Sequence, residues 1–220
     1  MNLGRGTVIA IDGPGAAGKG TLARRLATEL GLPHLDTGLL YRAVARRVLD
    51  RGADPRDAAA AEREARALLA SDLRRDDLRG PEADMAASAV SAVPGVRAAL
   101  LAFQREFGRE GAVLDGRDIG TVVFPDAPVK LFVTASVEAR ARRRFEELRA
   151  KGVPTDPERV EAELRRRDKQ DAERRAAPLR AAPDALLLDT TALDIEGAFA
   201  AAMAMVRERL AAIGPGAPVP

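Results

Sequence analysis

Residues 7–21 read TVIAIDGPGAAGKGT, and no other stretch narrows the possible folds as much. TVIAIDG is a β-branched, apolar run ending in Asp-Gly, the pattern of a strand buried on both faces that feeds a glycine-rich turn. Gly13, Pro14, Gly15, Ala16, Ala17, Gly18 and Lys19 then fill the phosphate-binding pattern G-x-x-x-x-G-K, with Gly20 and Thr21 after them. Glycines are needed there because backbone N–H groups must converge on phosphate oxygens without Cβ obstruction. The helix start adds positive potential, and Lys19 adds a movable charge. The helix is predicted from Leu22, Leu26 and Leu30, spaced by four and closed by Gly31.

The rest of the chain extends this unit. LPHLD predicts a short second strand, and TGLLYRAVARRVLDRG a second helix with Thr37 as its N-cap. Strand, helix, strand, helix implies parallel βαβ units, hence an α/β fold: a P-loop, doubly wound parallel sheet of about five strands. Residues 55–70 predict a helix, whereas 71–84 are polar, lack periodicity and are broken by Gly80-Pro81. Residues 94–108 open with proline and carry Val96, Leu100, Leu101, Phe103 and Phe107, as a helix packed on a sheet would. AVLDG and VKLFVTA predict strands three and four; two strongly charged helices flank GVPTD; ALLLDTT predicts strand five before a closing amphipathic helix. The expected organisation is a core of 1–70 and 94–220, a small mobile insertion at 71–93, an approximate lid region at 150–176 and a disordered tail at 213–220.

Composition removes several kinds of chemistry. Without cysteine there are no disulfides, thiolate zinc sites or cysteine nucleophiles, and His34 is the only histidine, so a histidine-based triad has little to work with. His34 reads as a partly buried polar residue near a strand. The net charge of +2 offers no polybasic surface, so nucleic acid is not an expected partner. No apolar run approaches a membrane span and no secretory signal is visible, which predicts a cytoplasmic protein without membrane contact.

At the position after the lysine, where a hydroxyl normally ligates Mg²⁺, the chain has Gly20. Magnesium is therefore expected to be held mainly by nucleotide phosphates and water, with Thr21 and Asp115 contributing. Farther on, residues 113–128 read VLDGRDIGTVVFPDAP, with an arginine between aspartates just where a hydrophobic run stops. In a doubly wound sheet ligands bind at the carboxyl ends of strands, so Arg117 and Asp118 fall where a substrate would lie. Arg165, Arg166, Arg167, Arg174 and Arg175 would by default form a solvated helix face laced with acids. Arg167, Asp171 and Arg174, however, share one face by spacing.

The GKGT ending resembles nucleoside monophosphate kinases. Four segments taken in order, IDGPGAAGKGT, LDTGLLYR, LDGRDIGTVVFPDAPVK and RDKQDAERRAAPL, resemble the bacterial cytidylate kinase family over nearly the whole chain. The resemblance implies phosphoryl transfer from ATP to CMP or dCMP with Mg²⁺, by a monomer, through a small acceptor-binding insertion and a helical lid. It implies ATP phosphates on Gly13–Thr21, catalytic charges from Lys19, Arg42, Arg117 and Arg174, and base reading by Ser88, Arg97 and Asp118. Arg167 and Asp171 would lie on the ribose, with Thr37 and Tyr41 lining the acceptor pocket. The chemistry agrees: two polyanions must be held in line, which demands fixed cations on both sides of the transferred group. The chain departs from the family in LRRDDLRGPEADMAASAVSAVPGVR, which is shorter than the usual insertion and lacks a β-rich run. That departure bears on Ser88, Arg97 and the strictness of base choice. Two other readings stay open: another small-molecule P-loop kinase (UMP/CMP, thymidylate or adenylate type), and a non-kinase ATP-dependent switch.

Overall fold

A computed structural model describes residues 6–174 and 176–213. Its sheet has five strands, β1 (Val8–Asp12), β2 (His34–Asp36), β3 (Ala112–Gly116), β4 (Val129–Thr134) and β5 (Leu186–Asp189), in the order β2-β3-β1-β4-β5. β1 runs parallel to β3 on one side and β4 on the other, and β4 parallel to β5. The register sets Asp12 beside Gly116 and Phe132, so β1 and β3 end level where the glycine loop leaves β1, and β4 runs on to Thr134. Buried on both faces, β1 can be apolar at every position until Asp12.

The chain divides into two compact units, one made of the segments ending at Leu35 and starting at Gly108, the other Asp36–Phe107. In the first, helices α1 (Lys19–Leu30) and α8 (Ile195–Ile213) contribute Leu22, Leu26, Ala202, Met203 and Val206 to a core with Ile9, Ile11, Val113, Leu131, Val133 and Leu188 of the sheet. Gly31 ends α1 at φ 67 with its N–H on the Ala27 and Thr28 carbonyls, the closure that its glycine predicts. α6 (Val137–Ala150) and α7 (Pro157–Glu173) pack on each other through a smaller core of Ala141, Leu148, Val160 and Leu164. α7 makes up most of the 150–176 stretch. α8 runs to Ile213, so the first residue of the expected tail is helical; 214–220 and Arg175 lie outside the described residues.

The second unit is helical after Asp36: α2 (Thr37–Asp50), α3 (Ala58–Arg66), 3-10 turns at Ala70–Arg74 and Asp76–Leu78, α4 (Pro81–Ser91) and α5 (Pro94–Gly108), whose last residue falls in the first unit. The 71–93 stretch lies wholly inside this unit. Two expectations are corrected here. Asp36, not Thr37, is the N-cap of α2, because β2 passes into the helix with no intervening turn. The Gly80-Pro81 pair, which reads as a break, starts α4: Gly80 caps at φ 139 and Pro81 takes the first turn, where its missing N–H costs nothing. The inward face of α4 is Ala86, Ala87 and Val90, too weakly apolar to show as a helical stripe in the sequence. Ion pairs also link its segments. Asp77 meets Arg46 at 2.6 Å and Arg75 at 2.7 Å, while Arg47 joins the buried Glu64 at 3.1 Å and Asp72 at 3.0 Å. Among the described residues no single helix is long and apolar enough to cross a membrane.

Candidate active site

The glycine loop is tightly packed. Gly13 has φ 147 and lies so close to β4 that a Cβ would collide with the Val133 carbonyl. Gly18, at φ 88, caps α1, and Ala16 holds φ 60, a left-handed conformation an alanine adopts only when its surroundings impose it. Lys19 is buried and donates from Nζ to the Pro14 carbonyl at 2.6 Å, closing the loop upon its own backbone. Burial, with the positive charge of Arg117, pushes the Lys19 ammonium well below its ordinary pKa. A cation held this way gains from an arriving phosphate, which supplies the negative charge its surroundings lack.

Asp115, next to last in β3, faces the start of α1. Its Oδ2 lies 3.7 Å from where a Cβ on Gly20 would be, and its Oδ1 meets Nε2 of His34 at 2.8 Å. His34 is thus half-buried beside a strand, and its partner is the carboxylate expected near the metal. Among the described residues no group of three acidic or histidine side chains could hold a metal ion by itself. Asp115 and the exposed Thr21, the two ligands expected from the sequence, would therefore need phosphate and water oxygens to complete an Mg²⁺ shell.

The DGRDIG segment passes straight from β3 into a π-helical turn, Ile119–Val123, in which Val123 N–H donates to the Asp118 carbonyl at 3.2 Å and Phe124 N–H to the Ile119 carbonyl at 2.7 Å. Asp12 holds that turn in place: its two carboxylate oxygens accept from the N–H groups of Ile119 and Gly120, each at 2.8 Å. The last residue of β1 thereby joins the phosphate loop to the turn carrying Asp118. Burial pushes the Asp12 carboxyl up to about 6, against the pull of the two N–H bonds, and the nearby Asp118 adds to the rise. Asp12 was not among the expected site residues; the signal was there in an acid closing an otherwise apolar strand.

Arg117 donates from Nε to Asp171 Oδ2 at 2.8 Å, and Arg174 NH1 stands 3.8 Å from the other oxygen of the same carboxylate. A Cβ built on Gly15 would lie 3.7 Å from Arg117 NH2 and 3.8 Å from Arg167 Cδ, so the loop and these arginines are gathered in one place. Burial raises the Asp171 carboxyl, but Arg117, then Arg174 and Arg167, pull it below its ordinary pKa. Arg174 lies just past the end of α7 rather than on its face, and it still returns to Asp171 and to the Ala177 carbonyl at 3.1 Å.

Two α6 arginines have structural tasks that the sequence does not announce. Arg140, only 3% exposed, donates to the Gly15 carbonyl at 3.2 Å and to both Asp168 oxygens at 3.1 and 2.6 Å, binding the loop to α7. Arg143 donates to the carbonyls of Thr190 at 2.5 Å and Leu193 at 3.1 Å.

In the second unit Thr37 is buried, and the Arg97 guanidinium lies 5.5 Å from the centre of the Tyr41 ring. Arg97 also donates to the Ser91 carbonyl at 3.4 Å. Arg42 donates from Nε to Asp84 Oδ1 at 2.9 Å. Ser88 is on α4, one turn beyond Asp84, and not in a loop as its neighbours suggest.

The family model described as cytidylate kinase matches residues 9–208. A cytidylate kinase of Acidiphilium cryptum is 62% identical over 208 residues, covering 94% of this chain and 98% of its own. One from Granulibacter bethesdensis is 62% identical over 203 residues, covering 92% and 97%. The solved structure of an uncharacterized protein from Eubacterium ventriosum superposes with a TM-score of 0.54 at 16% identity, covering 93% of this chain and 99% of that one, a likeness of fold alone. With a phosphate loop, a buried lysine and the DGRDIG turn all inside the matched span, the chain belongs to the cytidylate kinase family.

Proposed function

We propose that the chain transfers the γ-phosphoryl group of ATP to CMP or dCMP, giving ADP and CDP or dCDP. The observation that carries the reading is the gathering of Lys19, Arg117, Arg167, Asp171 and Arg174 around the glycine loop in a chain about three-fifths identical to cytidylate kinases along its length. Gly13–Thr21 hold the ATP phosphates through backbone N–H groups and the start of α1. Lys19 leaves the Pro14 carbonyl for the transferred group. Thr21 and Asp115, together with phosphate oxygens and water, would hold Mg²⁺, which would offset charge on the phosphates. Arg117 and Arg174 hold the acceptor phosphate in line, a role that the resemblance assigns to Arg42 as well. That phosphate is already an anion near neutral pH, so no strong general base is required.

Asp118 accepts from the cytosine amine, where uracil would present a carbonyl against the carboxylate; Ser88 and Arg97 also read the base, and Thr37 and Tyr41 line the acceptor pocket. Arg167 and Asp171 take the ribose. The α6–α7 pair serves as a lid that excludes water while the phosphoryl group is exposed. The protein works as a cytoplasmic monomer on small nucleotides, without nucleic acid or membrane.

Steady-state kinetics of two variants test these roles. Arg117→Ala lowers kcat by about 10³-fold or more, the scale of an arginine lost from the reacting phosphates. Asp118→Ala leaves turnover measurable but narrows the CMP-to-UMP preference by about 1–3 kcal/mol. An unchanged preference in Asp118→Ala rules out base reading by that carboxylate.

A further inference from the structure

Arg42, assigned above to the acceptor phosphate, is held by a group that the resemblance does not single out. Asp84, on α4, accepts its Nε hydrogen at 2.9 Å, and both side chains are mostly shielded, at 18% and 20% exposure. The NH1 edge folds over Gly38, where a Cβ would stand 3.1 Å from NH1 and 2.9 Å from Asp36 Oδ1 and so press on both side chains. NH1 is 4.0 Å from Asp36 Oδ2, beyond hydrogen-bond distance. Asp36 in turn lies 3.5 Å from Arg79 NH2.

A guanidinium offers five donors in a rigid fork, and bidentate grip of a phosphate needs its nitrogens presented at a fixed angle. An arginine on an exposed helix face samples many rotamers and loses that freedom on binding. One anchored at Nε has given up much of it already. We propose that Asp84 is a positioning residue for acceptor binding: it fixes Arg42 through Nε so that the terminal nitrogens are presented to the acceptor phosphate. Ser88, one turn along α4, ties the same helix to the proposed base site, so α4 serves both ends of the nucleotide. The inference rests on the reading of Arg42 as a phosphate ligand.

Steady-state kinetics with CMP varied at saturating ATP, and ATP varied at saturating CMP, test it on the full chain. Asp84→Ala raises KM for CMP about tenfold and leaves KM for ATP within about twofold, the scale of one lost charge-assisted hydrogen bond. Asp84→Asn, whose amide oxygen still accepts from Nε, stays within about threefold of the wild type for CMP. The proposal is overturned if neither variant moves KM for CMP. It is equally overturned if both lower it, since Asp84 is then a counter-ion competing with the substrate. Arg42→Ala, measured alongside, separates the two claims. A raised KM for CMP there with unchanged Asp84 variants sinks only the positioning role, whereas an unchanged KM in Arg42→Ala removes the reading of Arg42 and this inference with it.

Discussion

The glycine loop after β1 and the helical unit Asp36–Phe107 are both assigned to gripping anions, and they are built from different materials. The loop uses backbone: Gly13 packed against the Val133 carbonyl, Gly18 at φ 88, and a lysine folded on the Pro14 carbonyl. The second unit uses side chains steadied by other side chains, Arg42 by Asp84 and Arg97 by the Tyr41 ring. A backbone site follows from glycine spacing and the strand before it. A side-chain site follows only once helices have brought distant residues together, and its parts can change identity while the architecture stays.

The contrast can be broken by showing that the loop does not depend on its buried supports. Arg140→Ala removes the clamp between the Gly15 carbonyl and Asp168 and leaves that carboxylate without its guanidinium. The expected loss is about 3–5 kcal/mol of unfolding free energy, read as a lower urea midpoint. A loss below about 1 kcal/mol would make Arg140 no more than a surface pair.

Asp12 gives the next largest effect and a direction with pH. Its folded value of about 6 lies above the ordinary 3.8, so the folded chain keeps a proton that the unfolded chain has released between those values. Stability therefore falls as pH rises through that window, by on the order of 3 kcal/mol from this group, and the loss persists above it. Asp171 has the opposite sign: its pKa is depressed, so its contribution is present above the ordinary carboxylate range and lost as pH falls through the folded value. Urea unfolding of the wild type and Asp12→Asn between pH 4 and 7 reads the first of these. The variant should lose less stability than the wild type on going up in pH, and parallel curves would show that the Asp12 carboxyl carries no such cost.

The smallest effect sharpens the comparison from the other side. Arg75 pairs with Asp50 at 2.5 Å and Asp77 at 2.7 Å, with all three side chains about a third or more exposed. Arg75→Ala should cost only about 0.2–1 kcal/mol, because each exposed pair in this network is screened by water. A loss of several kcal/mol in thermal unfolding would mean that the second unit relies on one ion pair rather than on Leu40, Val44, Val48 and Val90.

Much of the fold is legible in the residues. β1, the loop and α1 follow from TVIAIDG, the glycines and the leucines, and all five strands lie where apolar runs put them. The short 71–93 stretch is not legible in the same way, because an alanine face contributes little to a hydrophobic pattern and Gly80-Pro81 signals both a break and a helix start. Of the site, Lys19, Arg117, Arg167, Asp171 and Arg174 were visible by motif, and the structure gathers them. Asp12, Arg140, Asp168 and Asp84 were not, since each acts on a partner far along the chain: Asp12 on Ile119 and Gly120, Arg140 on Gly15 and Asp168, Asp84 on Arg42. Only Asp12 leaves a local trace, as the acid that closes an apolar strand; no local pattern marks the others.

The measurement that goes most directly to the central claim is coupled ADP release from ATP and Mg²⁺ with CMP, dCMP, UMP, AMP, dTMP and no acceptor in parallel. CMP and dCMP should dominate, with almost no ADP formed in the absence of an acceptor. ADP release at one rate with every acceptor and with none would contradict the account, leaving an ATP site without the acceptor chemistry assigned to Arg117 and Asp118.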